Sequence, residues 1–198
     1  MNKLLIISLC FSLIFSCNQK KTQDNFNQKE SYENQNSTQK GFAISEGFIK
    51  ADDETTLELL IDANLLVKMS TQERLENIAR IIQTTEIYIR KNSLNNDENI
   101  VINKSELGPS KQVLEMLNSQ LEYQASQRLE GIEMRILNSG FGNYQDKFNY
   151  IFFKTLMNIS GLERYSCQYL ISVNNENFHI VINTKEGLEI QDVFNDIN

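Results

Sequence analysis

The fold is decided first by the stretch RYSCQYLISV at 164–173, the loop NNEN at 174–177 and the stretch FHIVIN at 178–183. In both stretches apolar side chains recur every two residues, which is typical of strands. The four-residue loop between them predicts a hairpin. With Val173 opposite Phe178, apolar side chains of both strands share one face, and the rest of the chain has to cover that face.

The segment before the hairpin predicts helices. Acidic residues at 52–54 favour the start of a first helix. The run Ser70–Glu73 has the sequence of a capping box, which starts a second helix almost without a linker. Between Leu75 and Ile89 apolar residues recur at three- and four-residue steps, so we expect one side of that helix to face a core.

Two more helices are predicted before the hairpin. The third covers residues 110–137, with Gly108 and Gly140 as its principal boundaries. The fourth runs from Asn143 to Ser160. Its aromatic residues are more typical of a core than of a binding platform, and they are Tyr144, Phe148, Tyr150, Phe152 and Phe153.

Together these patterns predict an α+β fold that is mainly α. About four helices form a bundle over residues 52–160, and a C-terminal antiparallel β-hairpin packs on it. A third extended piece at 188–193 would turn the hairpin into a three-stranded meander. Residues 41–198 are long enough for one domain with one core.

The beginning of the chain has the pattern of a signal peptide. Lys3 supplies a positive charge, and the apolar run from Leu4 to Phe15 contains 12 residues. A membrane-spanning helix needs about 20 residues, so this run is too short to span. Ser16 and Cys17 follow it directly.

A small residue followed by cysteine at the end of such a leader resembles the lipobox of bacterial lipoproteins. The positions before Ser16 hold Ile14 and Phe15, and this relaxed pattern is similar to that of spirochaetal lipoproteins. The resemblance implies that residues 1–16 are removed and that lipid is attached to Cys17. An ordinary secretory leader and an uncleaved anchor are the alternatives from the residues themselves. Cys10 is a weaker candidate for lipidation, because it leaves only a short apolar run before it.

Residues 17–40 are predicted to be the lipidated cysteine and a disordered polar tether. Only Phe26 and Tyr32 are large and apolar between positions 18 and 40. Such a segment buries too little apolar surface to offset the entropy lost on ordering. It would hold the domain roughly 25 Å from the lipid.

The charge balance excludes two classes of partner. Nineteen Lys and Arg stand against 26 Asp and Glu, which gives a formal net charge of −7 at pH 7. An acidic chain has no electrostatic attraction to nucleic acid or to anionic lipid head groups. We therefore expect membrane attachment through the lipid on Cys17 and no nucleic-acid partner.

Few residues offer chemistry. His179 is the sole histidine, and the predicted register places Ser172 opposite it, but no orienting acid or oxyanion hole accompanies the pair. Once Cys10 is removed and Cys17 lipidated, Cys167 is alone, and it is assigned to packing rather than to an intermolecular disulfide. The sequence therefore predicts no enzyme, no catalytic residue, no cofactor and no metal.

Two sets of charged residues could also be interpreted as binding sites. Arg128 and Arg135 lie seven residues apart and would suit an anionic ligand. The favoured interpretation is that their aliphatic stems lie on the protein surface beside neighbouring glutamates. Acidic residues in the loop at 92–99 lack the ligand spacing of a calcium loop and are interpreted as a solvated loop.

The predicted function is that of a lipid-anchored envelope lipoprotein, most simply at the outer membrane or cell surface. Its folded part would be a non-enzymatic protein-binding module for a host or envelope partner. An accessory lipoprotein of an envelope complex on the periplasmic side is the alternative, and a hydrolase is a remote one.

Overall fold

A computed structural model describes residues 41–64, 71–93, 96–126, 132–159 and 161–197. Within them the elements follow in this order: β1 (Phe42–Ile44), β2 (Phe48–Lys50), α1 (Asp53–Asn64), α2 (Thr71–Ile81), β3 (Thr85–Arg90), β4 (Asn99–Ser105), α3 (Lys111–Ser126), β5 (Ile132–Tyr144), β6 (Phe148–Ile159), β7 (Leu162–Val173), β8 (Glu176–Thr184), α4 (Ile190–Val193) and β9 (Phe194–Ile197).

Most of the strands belong to one antiparallel sheet. Its seven strands have the order β2-β3-β4-β8-β7-β6-β5, and β1 pairs with β9 in a separate two-stranded sheet. The hairpin β7–β8 therefore lies in the middle of the large sheet, where both strands have neighbours on both sides. Its apolar side chains are the centre of the core.

One face of the sheet is covered by the end of the chain. We call α4 and β9 the C-terminal strap and the sheet face beneath it the strap face. The strap contributes Ile190, Val193 and Phe194 to a buried apolar cluster. The sheet contributes residues of β4, β7 and β8, namely Ile100, Ile102, Tyr169, Ile171, Phe178, Ile180 and Ile182.

The opposite face, which we call the helix face, is covered by three helices. Leu59, Leu60, Ile78 and Ile81 of α1 and α2 cover Ile87, Ile89, Val101 and Val181 of the sheet. Leu117 and Leu121 of α3 cover Ile151, Phe153 and Leu170. Successive strand residues point to opposite faces, so the middle strands supply apolar side chains to both layers.

The predicted helical bundle is wrong, because the chain folds mainly as strands. Residues 132–137 and 143–159 were expected within two helices, and instead this part of the chain forms β5 and β6. Residues four apart, such as Ile132 and Ile136, share a face in a helix and also in a strand, so their spacing does not separate the two structures. In β6, consecutive apolar residues such as Phe152 and Phe153 occur because both faces of that strand are covered.

The starts of the helices are closer to the expectation than their ends. Helix α1 begins at Asp53, and the amide of Thr55 donates to Oδ1 of Asp52 over 2.8 Å. Helix α3 begins at Lys111, and the amide of Val113 donates to Oγ of Ser110 over 3.2 Å. These bonds satisfy amides that a helix start leaves without intrahelical partners.

The second predicted helix ends earlier than expected. Helix α2 stops at Ile81, and residues 85–90 form β3 rather than a continuation of the helix. In β3, Ile87 and Ile89 alternate with polar neighbours and pack beneath α1 and α2. Ser70, the first residue of the expected capping box, lies outside the described residues.

The C-terminal hairpin is present, but its register differs from the expectation. Val173 lies opposite Glu176, so the loop contains only Asn174 and Asn175. Both asparagines have positive φ, at 51° and 66°, which is the backbone of a two-residue hairpin turn. The third extended piece expected at 188–193 is the strap instead, in which a helical turn precedes β9.

Gly140 is not a helix C-cap, because it lies inside β5. It is paired with Phe152, and Gly142 is paired with Tyr150. A Cβ atom added at Gly142 would overlap Cε2 of Tyr150, whereas one added at Gly140 would lie 3.5 Å from Cε1 of Phe152. At Gly142, then, the aromatic ring occupies the space in which a side chain would begin.

We therefore predict that Gly142→Ala destabilises the protein by about 1–3 kcal/mol, the usual cost of overpacking. Tyr150 cannot move away freely, because its ring makes edge contacts with Tyr169 at 5.3 Å and Phe152 at 6.2 Å. Urea unfolding of the chain from residue 18 measures the effect. Gly47→Ala is the matched control, because the nearest atom to its added Cβ is 3.9 Å away. Equal unfolding midpoints for the two variants would contradict the prediction.

Candidate functional site

The large sheet has two edge strands of very different length. Strand β2 has three residues, whereas β5 has 13. No described strand pairs with the outer side of β5. An unpaired strand edge presents a row of backbone donors and acceptors, so β5 is a template onto which another strand can add.

Two large apolar side chains on β5 are exposed. Phe141 is 54% exposed, and Leu137 is 47% exposed. Phe141 lies opposite Ile151, so it is on the helix face of the sheet. Leu137 lies at a β-bulge between Ile136 and Asn138, where the pairing with β6 shifts by one residue.

Protection of this edge is confined to its first half. Natural edge strands avoid pairing by charges, prolines or bulges. In β5 the charged residues Glu133 and Arg135 precede the bulge. Nη2 of Arg135 lies 4.0 Å from Oε1 of Glu163. Residues 138–143 have the sequence NSGFGN, which contains no charge and no proline. The second half of the edge is therefore open to pairing.

The far end of β5 is held firmly. Tyr144 is buried, its hydroxyl donates to the carbonyl oxygen of Phe194 over 3.1 Å, and its ring stacks on Phe148. At the adjoining turn, Oδ1 of Asn143 accepts from the amide of Asp146 over 2.6 Å. The Tyr144 hydrogen bond fixes this end of the strand to the strap, and the Asn143 bond closes the turn that follows it.

Ser172 and His179, which the predicted register placed opposite each other, do not form a pair. His179 lies opposite Leu170 and Asn103 rather than Ser172, and its Nε2 is 3.2 Å from Oε1 of Gln168. The hydroxyl of Ser172 donates to Oδ1 of Asn177, at 2.6 Å. Catalysis by a serine requires its hydroxyl to be hydrogen-bonded to a base, and this arrangement gives Ser172 a different partner.

Cys167 is buried in the strap-face cluster, between Lys154 and Ile182 on the neighbouring strands. Burial raises the pKa of its thiol to about 11. A thiol with that pKa stays protonated at neutral pH, which suits a packing role.

The loop at 92–99 is tied to the sheet by ion pairs. Asp97 pairs with Arg164, and Oε2 of Glu98 accepts from Nη1 of Arg90 over 2.6 Å. Burial would raise the pKa of Asp97, but hydrogen bonds from Arg164 and Ser93 hold it below its ordinary value. The interpretation of this segment as a solvated loop is therefore wrong for Asp97 and Glu98. Their ion pairs hold the segment against strands β7 and β3.

Of the two arginines predicted to lie seven residues apart on a helix, the structure describes one, and that one is on a strand. Arg135 lies on β5 with its side chain 71% exposed. Arg128 lies outside the described residues, as do Cys17 and the whole of residues 1–40. Among the residues that the structure does describe, there is no group of three or more His, Cys, Asp or Glu side chains placed to hold a metal ion.

The aromatic segment predicted as a fourth helix contributes to a core, but as strands. Phe148, Tyr150 and Phe152 are partly buried against the strap-face cluster, and Phe153 is buried beneath α3. In the described part of the chain, no helix is both long enough and apolar enough to cross a membrane.

Sequence reasoning missed the β5 edge. The signals present in the sequence are the alternation of Ile132, Met134 and Ile136 and the Gly-x-Gly pattern at 140–142. Alternation indicates a strand, and glycines within a strand often mark a close approach by another group. Neither signal says that the strand lies at an edge.

Comparison with known proteins finds a similar solved structure but no matching protein family. No protein-family description matches the chain, and no curated protein matches it. A similar solved structure is that of cyanobacterial PsbP (CyanoP) from Synechocystis sp. PCC 6803, determined in solution. The two chains are 12% identical with a TM-score of 0.41, over 75% of this chain and 76% of the other.

His179 provides a test of the buried interior. Burial lowers its pKa to about 4, whereas an unfolded histidine has a pKa of about 6.5. As the pH falls below 6.5 the unfolded chain gains a proton that the folded protein does not, so the free energy of unfolding decreases until the pH approaches 4. We expect a loss of about 2 kcal/mol between pH 7.5 and pH 5.

Urea unfolding at the two pH values measures this loss, and His179→Gln is the control because it removes the titrating group. The variant is expected to be less stable at pH 7.5 but to lose much less stability on going to pH 5. The same pH dependence in both proteins would show that His179 is not the group responsible.

Proposed function

We propose that this protein is a lipid-anchored lipoprotein of the bacterial envelope or cell surface, and that its folded part is a protein-binding module without enzymatic activity. The observation that carries the binding proposal is the unpaired edge of β5 with its exposed Leu137 and Phe141. The leader and the Ser16-Cys17 sequence support the anchor.

Binding by strand addition follows from the geometry of the edge. An extended segment of a partner would form backbone hydrogen bonds with residues 138–143, and these bonds supply affinity with little sequence preference. Side chains of that segment on the helix face would meet Leu137 and Phe141, which supply selectivity for apolar residues at alternate positions. The partner is therefore a protein with an exposed extended segment or edge strand.

The surroundings of the reactive side chains support the proposal that the protein has no enzymatic activity. His179 is buried against Gln168, Ser172 donates its hydrogen bond to Asn177, and Cys167 has a raised pKa. A serine nucleophile needs a base and a cysteine nucleophile needs a lowered pKa, and these surroundings favour neither for Ser172 and Cys167.

The anchor gives a direct test. Metabolic labelling with a fatty-acid analogue is expected to label the wild-type protein and to leave Cys17→Ala unlabelled, since the thiol of Cys17 is the proposed attachment point. Cys10→Ala is the control and is expected to be labelled like the wild type. Equal labelling of Cys17→Ala and the wild type would contradict the proposal. Protease treatment of intact cells then tells a surface location from a periplasmic one.

The binding site is tested by placing a charge at the edge. We expect Phe141→Lys to reduce capture of partner proteins from envelope extracts at least ~10-fold, because a lysine at an edge opposes strand pairing. Leu162→Lys is the matched control: Leu162 is also apolar and 61% exposed, but it lies at the hairpin end of β7, two strands away from the outer edge of β5. Captured proteins are identified by mass spectrometry. Capture that Phe141→Lys and Leu162→Lys affect equally would contradict the β5 site.

A further inference from the structure

We propose that the strand received by β5 is the β5 strand of a second copy of this chain. The two strands would run antiparallel about a two-fold axis at Ser139, joining the two sheets edge to edge. This inference rests on the proposed function, because it assigns an occupant to the edge on which that function depends.

The spacing of the exposed apolar side chains favours this occupant. With the axis at Ser139, Leu137 of each copy lies opposite Phe141 of the other. Both side chains are about half exposed in the single chain, at 47% and 54%. From the bulge onward, Leu137, Ser139 and Phe141 are alternate residues of the strand, so Leu137 and Phe141 share a face. The symmetry places two such apolar pairs side by side, and each covers surface that is otherwise in water.

The charges of β5 are compatible with the same register. Because the bulge adds Leu137 to the strand, the register shifts by one residue before it, so Arg135 would lie opposite Gly142 of the second copy and Glu133 would lie opposite its Tyr144. No two like charges face each other. An axis at Arg135 would place two arginines in contact, and an axis at Phe141 would leave Leu137 opposite Gln145, without an apolar partner. The pairing about Ser139 is thus favoured over these alternatives by both charge and apolar contact.

The glycines allow the two edges to approach. Gly140 and Gly142 carry no side chain, and the rings of Phe152 and Tyr150 on the next strand occupy the space above them. The second copy would therefore meet bare backbone at Gly140 and Gly142. That backbone is packed by the two aromatic rings of the neighbouring strand β6 in the same chain. Antiparallel strands lie about 5 Å apart in the hydrogen-bonding direction, so the second copy would lie close to these glycines.

The test uses the mature chain from residue 17 with Cys17→Ala, so that lipid does not drive association. Sedimentation over a range of concentrations is expected to show a reversible monomer–dimer equilibrium. Phe141→Lys is expected to raise the dimer dissociation constant at least ~10-fold, since it places a charge at two symmetric contacts. Leu162→Lys is expected to leave the constant unchanged, and urea unfolding checks that both variants fold.

Engineered cysteines test the register in the same chain, whose remaining Cys167 is buried. Ser139→Cys lies on the axis, where directly opposite Cα atoms are about 4.5–5.5 Å apart, so it is expected to form an intermolecular disulfide. Glu133→Cys is the control on the same strand: its two copies would be roughly 35 Å apart, and no disulfide is expected. Equal cross-linking at both positions would overturn the proposed register.

The outcomes separate this inference from the proposed function. A chain that stays monomeric, yet captures another protein in a manner abolished by Phe141→Lys, would overturn the second copy as occupant and leave the β5 binding site in place. A chain that neither dimerises nor captures a partner through β5 would overturn both.

Discussion

Strand β8 has no exposed face, and the arrangement of the other elements follows from this burial. Ile180 and Ile182 are fully buried on the strap face, and Val181 between them is fully buried on the helix face. Burying each such side chain contributes about 1.5–3 kcal/mol, so both faces have to be covered. The helices supply one cover and the last residues of the chain supply the other. The strap is thus a layer of the fold and not a tail.

Polar side chains on the helix face fix how the middle strands align. A hydrogen bond joins Thr85 of β3 to Asn103 of β4 over 2.5 Å, and another joins Asn183 of β8 to Asn99 of β4 over 2.9 Å. The contact between His179 and Gln168 links β8 to β7 in the same way. A slip of one residue would move every side chain of a strand to the other face and would break these bonds. Apolar burial alone would discriminate less between registers built from repeated isoleucines and valines.

The parts of the fold that could be predicted are those set by local chemistry. Cap residues Asp52 and Ser110 act within one turn, so the starts of α1 and α3 follow from sequence, and alternating apolar residues indicate the strands β7 and β8. The identity of β5 and β6 depends on tertiary structure, since a four-residue spacing fits both a helix and a strand. The edge position of β5 depends on strand order, which no local pattern contains. For that reason the candidate site could not be located from the sequence.

The composition of β5 is difficult to explain by stability alone. Glycine inside a strand or helix is less stable than alanine by roughly 0.5–1 kcal/mol, and β5 has two glycines in its unprotected half. A strand needed only to complete the sheet would be more stable with β-branched residues and safer with a lysine. The aromatic rings of Tyr150 and Phe152 hold the glycines in place without covering the outer edge. The outer edge of the strand is therefore left free of side-chain bulk at these positions, and the lipid proposed on Cys17, by confining the protein to a membrane, would strengthen even a modest pairing at that edge.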